Sequence, residues 1–126
     1  MIIDVASVSG VRAMPYSAVY SASKYAMVGL SHALRGELSG TGVKVCTVNP
    51  GTTATEFFRG RRPDGFMTHS PRQVARTILR TARWPRRDAF VLPYRAAGLA
   101  EPIFGGLLDH VLGETRRSQH PEYRER

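Results

Sequence analysis

Short β-branched runs alternate with longer segments of helical periodicity along this 126-residue chain. Runs typical of strands occur at residues 1–7, 43–49 and 88–93, with the sequences MIIDVAS, VKVCTVN and DAFVLP. Each run is followed by a segment whose apolar residues have helical spacing, at residues 17–39, 70–82 and 101–114. Alternating strands and helices are typical of a parallel sheet with crossover helices. The sequence therefore predicts an α/β fold with the order β-α-β-α-β-α.

Local signals indicate where these helices begin and end. Gly40 and Gly42 follow the first helical segment and can adopt the positive φ that often ends a helix. Ser70 precedes the second segment as a potential N-cap, and Pro71 suits the first helical turn. From residue 115 onward the chain is polar and highly charged. We therefore expect one folded unit over residues 1–114 and a flexible tail over residues 115–126.

The formal net charge of +8 raises the question of nucleic-acid binding. The arginines occur in short clusters without interleaved aromatic residues, and no zinc-finger or helix-turn-helix pattern is present. We therefore expect a solvated basic surface and no nucleic-acid partner. No apolar run approaches the roughly 18 residues that span a bilayer. Residues 101–117 could form an amphipathic membrane-surface helix, but a helix that covers a cleft or contacts a subunit is the favoured interpretation. The single Cys46 fits a cytoplasmic location, and we predict no metal site.

Tyr20 and Lys24, in the stretch YSASK, are the first candidates for chemistry. Residues four positions apart lie on the same face of a helix. A free phenol has a pKa of about 10, and a nearby ammonium favours the phenolate. Lowering a phenol's pKa by about three units requires roughly 4 kcal/mol. Because such pairs are also common on ordinary amphipathic helices, the spacing alone does not establish an active site.

Two further features lie where strands end. Ser7 ends the first predicted strand, thirteen positions before Tyr20. Asn49, Pro50 and Gly51 end the second. The carboxyl ends of parallel strands form one edge of a sheet, where α/β proteins bind their ligands. The sequence therefore predicts that these residues converge on one edge with Tyr20.

On these residues the chain resembles the short-chain dehydrogenase/reductase family. IIDVASVSG resembles the family's fifth strand with its catalytic serine, YSASK its Tyr-x-x-x-Lys motif, and VNPGTTATEF the Pro-Gly segment after its sixth strand. Asp4 departs from the pattern, since the family often has Asn there. The resemblance covers about residues 1–58 in register and continues more loosely to residue 93. It implies a partial Rossmann-type catalytic domain over residues 1–114.

The resemblance implies roles for individual residues. Ser7 would hydrogen-bond the substrate's carbonyl or hydroxyl group. Tyr20 would be the general acid in reduction and the general base in oxidation. Lys24 would favour the phenolate and hold the nicotinamide ribose, which Tyr20 would also contact. The other implied cofactor contacts are Pro50, Gly51 and Thr53 along the nicotinamide, and Thr55 at its carboxamide or phosphate.

The family's Gly-rich phosphate-binding turn has no counterpart in this sequence. Residue 1 falls within what resembles the fifth strand, so we expect the N-terminal nucleotide-binding half to be absent and activity of the chain alone to be weak or lost. The expected function is NAD(P)-dependent hydride transfer, with NADP slightly preferred, to or from a small alcohol or ketone of lipophilic character. We expect a homo-oligomer. The alternative is a non-catalytic interaction or oligomerisation module derived from this family.

Overall fold

The computed structural model describes residues 1–55, 68–91 and 95–119, with the side chains of the last helix described from residue 104. Three strands are present, β1 (Ile2–Val5), β2 (Val45–Asn49) and β3 (Asp88–Phe90). The helices are α1 (Ala18–Glu37), α2 (Pro71–Arg83) and α3 (Arg95–Gln119). A single 3-10 turn, Val8–Gly10, follows β1. The predicted β-α-β-α-β-α order and the α/β class are confirmed.

The three strands form one parallel sheet in the order β1-β2-β3. Ile2 pairs with Val45 and Thr47 pairs with Asp88, so the carboxyl ends of the strands share one edge. All five residues of the central β2 are buried. In β1, by contrast, Ile2 and Val5 are exposed in the described part of the chain. In that part β1 pairs with β2 alone, so its other edge has no strand beside it.

Helix α1 packs on the sheet through its serines, whereas its apolar stripe points away from the sheet. Ser21 and Ser31 are the buried residues of the helix, while Val19 and Leu30 are 87% and 58% exposed. The Ser31 hydroxyl lies 2.6 Å from Asp4 Oδ2 in β1 and 3.0 Å from the Met27 carbonyl oxygen. Because serine is small, α1 can approach the strands closely while its buried hydroxyls keep hydrogen-bond partners.

A polar cluster joins α1 to β2 and β3. Arg35 donates from Nε to the Val45 carbonyl oxygen at 3.0 Å and from Nη2 to Asp88 Oδ1 at 2.9 Å. The Thr47 hydroxyl lies 2.5 Å from the same carboxylate oxygen. Burial by itself raises the pKa of Asp88, but the Thr47 and Arg35 hydrogen bonds and the Arg35 and His32 charges outweigh it and hold that pKa below its ordinary value. The cluster therefore holds an ionised Asp88 at the start of β3.

The helix ends predicted from the sequence are largely confirmed. Gly40 and Gly42 have φ of 83° and 81° after α1. At the start of α2, the Ser70 side chain accepts from the Gln73 N–H and Gln73 caps Ser70 in return, a complete capping box. Among helices of the described residues, none is both long enough and apolar enough to cross a membrane.

The last helix is longer than the sequence predicts. Helix α3 has a kink at Phe104 and continues to Gln119, so the first five residues of the expected tail, 115–119, are helical. The Thr115 hydroxyl donates to the Val111 carbonyl oxygen, and Arg117 pairs with Glu114 at 3.1 Å one turn earlier. Residues 115–119 are polar and contain no Pro, so they can continue the helix. The rest of the predicted tail, residues 120–126, lies outside the described residues.

Candidate active site

Ser7 lies at the carboxyl end of β1, as predicted, and is buried. Its backbone is extended (φ −172°), and its Oγ accepts from the Ser9 N–H at 3.1 Å, so that Ser7 caps the 3-10 turn. The Oγ also lies 3.5 Å from the Pro50 carbonyl oxygen, beyond an ordinary hydrogen bond. The Val8 N–H donates to that carbonyl at 2.9 Å. The structure therefore joins Ser7 directly to the Pro50 segment.

Gly10 brings the turn against α1, a role that the sequence analysis did not assign. A Cβ at Gly10 would lie 2.6 Å from the Lys24 carbonyl oxygen and 3.1 Å from a Val28 methyl carbon. Only a glycine permits this approach, because Cβ atoms do not come so close to backbone atoms. Gly10 therefore sets how near the Ser7 turn lies to the helix that carries Tyr20 and Lys24.

Tyr20 and Lys24 lie on one side of α1, and the side chains meet. The Lys24 Nζ is 5.7 Å from the centroid of the Tyr20 ring, within cation–π distance. The same Nζ lies 3.4 Å from the Val5 carbonyl oxygen at the end of β1. Tyr20 is 39% exposed. The ammonium thus bridges from the sheet edge to the phenol ring, and the ring remains accessible from solvent.

The loop between the 3-10 turn and α1 contains residues that sequence reasoning missed. Tyr16 has a φ of 60°, in the left-handed region that non-glycine residues rarely adopt. Its hydroxyl accepts from Arg117 Nε at 2.8 Å, and Arg12 forms an ion pair with Asp109, so that α3 holds the loop at two points. Helical and strand periodicity carries no signal for contacts about 100 residues apart.

The Pro50 to Thr55 segment leaves the carboxyl end of β2. The Thr53 hydroxyl donates to the Gly51 carbonyl oxygen at 3.0 Å, and the Thr55 hydroxyl lies 3.5 Å from the Thr53 carbonyl oxygen, beyond an ordinary hydrogen bond. Thr53 also forms an isolated parallel bridge with His69, just before α2. The hydroxyls of Thr53 and Thr55 thus contact carbonyl oxygens within the segment. Of its residues, Pro50 contacts the Ser7 turn.

Asn49 is an unassigned polar residue beneath this segment. Its side chain is fully buried, and Nδ2 donates to Thr47 Oγ1 at 3.4 Å. Across residues 1–55, 68–91 and 95–119, no donor reaches Asn49 Oδ1. A buried acceptor without a donor is costly, so this oxygen is available to accept a hydrogen bond from a group outside the described residues.

A nicotinamide nucleotide fits this edge of the sheet in part. The Lys24 ammonium and the Tyr20 hydroxyl offer hydrogen-bond groups suited to a ribose diol. A Gly-rich turn leading from a strand into a helix, the usual cradle for a pyrophosphate, is not found in the described residues. The positive-φ glycines Gly40 and Gly42 lie at the opposite end of α1. The residues therefore suit the nicotinamide end of a dinucleotide.

The sheet of this chain is parallel, and polar side chains lie at its carboxyl edge. These features place the chain in the class of α/β proteins that bind ligands at that edge. The sequence profile of the short chain dehydrogenases matches residues 1–65. The chain therefore belongs to the short-chain dehydrogenase/reductase family, as the resemblance indicated, and thus to a family of oxidoreductases.

Two curated relatives match about half of the chain. An uncharacterised oxidoreductase of Schizosaccharomyces pombe is 47% identical over 57 residues, which are 45% of this chain and 24% of the relative. A 3-ketodihydrosphingosine reductase of Bacteroides thetaiotaomicron is 45% identical over 60 residues, 48% of this chain and 22% of that protein. The chain thus spans about a quarter of the length of these relatives.

Solved structures match more of the chain. A short chain dehydrogenase from Burkholderia cenocepacia in complex with NADP has a TM-score of 0.74 and 25% identity over 88% of this chain and 46% of that one. A 4-hydroxyisoleucine dehydrogenase complexed with NADH has a TM-score of 0.57 and 30% identity, covering 72% of this chain and 43% of the other. The chain spans less than half of each.

Proposed function

We propose that this chain carries the catalytic groups of an NAD(P)-dependent oxidoreductase that interconverts an alcohol and a carbonyl compound. The observation that supports this most strongly is the Lys24 ammonium, which lies between the carboxyl end of β1 and the Tyr20 ring. Ser7 follows the same strand two residues after it ends. A proton donor, a cation and a second hydroxyl thus lie at one sheet edge, where a carbonyl oxygen would be protonated. The proposed catalytic unit is residues 1–114.

The nicotinamide, when bound, supplies or accepts the hydride. Tyr20 would transfer the proton, giving it to the carbonyl oxygen in reduction and taking it from the hydroxyl in oxidation. Lys24, whose positive charge faces the ring, would stabilise the phenolate left after the proton is donated. Ser7 would hydrogen-bond the same substrate oxygen, for which its hydroxyl must turn from the Pro50 carbonyl.

We propose that Lys24 and Tyr20 hold the nicotinamide ribose. Pro50, Gly51 and Thr53 would line the ring, with Thr55 at the carboxamide or phosphate. Support comes from the position of this segment at the carboxyl edge of the sheet, beside the Ser7 turn. Of the two nicotinamide cofactors, NADP is the one that we propose. The similar solved structures include one with NADP and one with NADH, so either nucleotide is compatible with the family.

The substrate is proposed to be a lipophilic alcohol or ketone. The relative from B. thetaiotaomicron is a 3-ketodihydrosphingosine reductase, whose name describes a lipid ketone substrate. The apolar Phe57 and Phe58, which suggested such a substrate in the sequence, lie outside the described residues.

Activity would require further strands that complete the nucleotide site, since Ile2 and Val5 are exposed along the edge of β1 that has no strand beside it.

An interaction module is the second candidate function. Val19 and Leu30 are strongly exposed on α1, and small residues lie between them, including Ala22 and Ala26. An exposed apolar stripe with small neighbours is typical of a surface that packs against another helix. We propose that the same stripe forms the contact of a homo-oligomer. Sedimentation that shows a monomer at all concentrations would count against this candidate.

Nicotinamide fluorescence and thermal unfolding test the oxidoreductase proposal. NADPH and NADH are titrated into the chain, with Tyr20→Phe as the test variant and Ser39→Ala, an exposed position outside the site, as the control. We expect saturable binding, with the melting temperature rising by mass action. Tyr20→Phe should still bind but lose at least about a hundredfold in any turnover of a lipophilic ketone. Absence of saturable binding would refute a nicotinamide site formed by this chain, and unchanged turnover in Tyr20→Phe would refute the proton-transfer role.

A further inference from the structure

A second concave site lies beside α1, apart from Ser7, Tyr20 and Lys24. It is a groove of about 870 Å³, within the range of small-molecule sites. One wall consists of α1 residues at helical spacing, Tyr25, Val28, Gly29 and His32. The other consists of residues 86–88 and Phe90, in and before β3. At about 100° per residue, Tyr25, Gly29 and His32 lie roughly a quarter of the helix circumference or more from the Tyr20–Lys24 side, and Val28, one turn after Lys24, lies between the two sides.

The middle of the groove is apolar. Val11, Val28 and Phe90 line it together with the ring of Tyr25. The Tyr25 hydroxyl donates to the Val11 carbonyl oxygen at 2.6 Å, so its polar end has a partner and its ring serves as a wall. At Gly29 the space next to the helix is open, because a Cβ there would meet nothing within 4 Å. The groove can therefore hold an apolar chain without burying an unpaired side-chain hydroxyl.

The lining of the groove also carries an excess of positive charge. The Asp88 carboxylate is engaged by Arg35 and Thr47, with His32 Nε2 at 3.8 Å. Arg86 and Arg87 also line the groove, and within the described part of the chain their guanidinium groups have no hydrogen-bond or ion-pair partner. The Arg87 carbonyl oxygen accepts from the Thr47 N–H at 2.9 Å, which fixes the backbone. Two cationic residues beside a fixed backbone thus line the same groove as the apolar side chains.

We propose that this groove binds a long-chain fatty-acid carboxylate. The hydrocarbon chain lies along Val11, Val28 and Phe90, and the carboxylate accepts charge-assisted hydrogen bonds from Arg86 and Arg87. A neutral lipid would leave the two guanidinium groups unused. The site shares no residue with the proposed catalytic set, so it stands or falls independently of the oxidoreductase proposal.

Trp84 provides the readout. It is the only tryptophan of the chain, it is 60% exposed, and it lies two residues before Arg86. Laurate is titrated below its micelle concentration while tryptophan fluorescence is followed, and equilibrium dialysis with labelled laurate confirms the stoichiometry. Methyl laurate, which has the same chain without the charge, is the matched ligand. The variants are Arg86→Gln with Arg87→Gln, Gly29→Leu to fill the open space, and Arg76→Gln as a basic α2 control that does not line the groove.

We expect one laurate per chain and binding at least about tenfold weaker in the double arginine variant, because a hydrogen bond to a charged group contributes at least that factor. Each added methylene from octanoate to laurate should strengthen binding by up to about fourfold. Gly29→Leu should weaken it and Arg76→Gln should not. Equal affinity for laurate and its methyl ester, or equal affinity of the double arginine variant and the unchanged chain, would overturn the proposal. A concentration-dependent dimer that Gly29→Leu abolishes would also overturn it, by assigning the groove to a second copy.

Discussion

Gly10→Ala is predicted to loosen the contact that places the Ser7 turn against α1. The added Cβ would lie 2.6 Å from the Lys24 carbonyl oxygen and 2.8 Å from its carbonyl carbon. Restoring an ordinary contact of 3.4 Å requires a shift of about 0.8 Å. Both opposing atoms belong to helix backbone, which cannot rotate away as a side chain can. Such overpacking costs about 1–3 kcal/mol, and the reduced freedom of the unfolded chain offsets about 0.4–1 kcal/mol of that cost.

Urea unfolding followed by far-ultraviolet circular dichroism measures the effect. With a slope of about 1–3 kcal/mol per molar urea, a net loss of about 1–2 kcal/mol lowers the midpoint by roughly 0.3–2 M. Gly29→Ala is the matched control, because it makes the same chemical change within α1 where nothing lies within 4 Å of the new Cβ. That variant should gain about 0.5–1 kcal/mol. A midpoint for Gly10→Ala at or above that of the unchanged chain would refute the reasoning.

Three further predictions follow from other contacts. Asp88→Asn should lower stability at neutral pH and make stability less dependent on pH below about 4. The reason is that folding lowers the pKa of Asp88, so the stability contributed by its carboxylate is lost as acid protonates it. Unfolding curves whose loss of stability in acid is the same in the variant as in the unchanged chain would contradict this. Ser31→Ala should lower the free energy of unfolding by about 1–2 kcal/mol, since it leaves Asp4 without its buried partner, and urea midpoints equal to those of the unchanged chain would exclude it. Arg117→Met should speed amide hydrogen exchange around Tyr16, whose left-handed backbone Arg117 holds through the hydroxyl; equal exchange rates would show that the contact does not order the loop.

Predictions that depend on neighbouring residues in the sequence agree with the structure. The Ser70 capping box, the positive φ of Gly40 and the order of strands and helices each follow from a few consecutive residues. The proximity of Tyr20 and Lys24 follows from a four-residue spacing on one helix. That Ser7 and Pro50 meet follows from the shared carboxyl edge of parallel strands. These features need no knowledge of which surface is covered.

Other expectations differ from the structure because they concern burial. The apolar residues of α1 and α3 repeat at helical spacing, which predicts an inward face, yet Val19, Leu30 and Leu107 are exposed. In α1 the inward face consists of Ser21 and Ser31. Periodicity shows that a helix has an apolar side but not what lies against that side. The exposed stripes in the described residues are surfaces for further contacts, such as those of the proposed oligomer.

The sequence by itself determined the family, the α/β class and the identity of the candidate catalytic groups, because these depend on short motifs and on the chirality and spacing of local elements. Only the tertiary structure decided that Arg35 would neutralise Asp88, that Gly10 would touch the Lys24 backbone, that α3 would hold Tyr16, and that a groove with basic residues in its lining would open beside α1. The physical reason is distance along the chain. These contacts join residues from 14 to about 100 positions apart, and their geometry exists only once the sheet has placed the elements side by side.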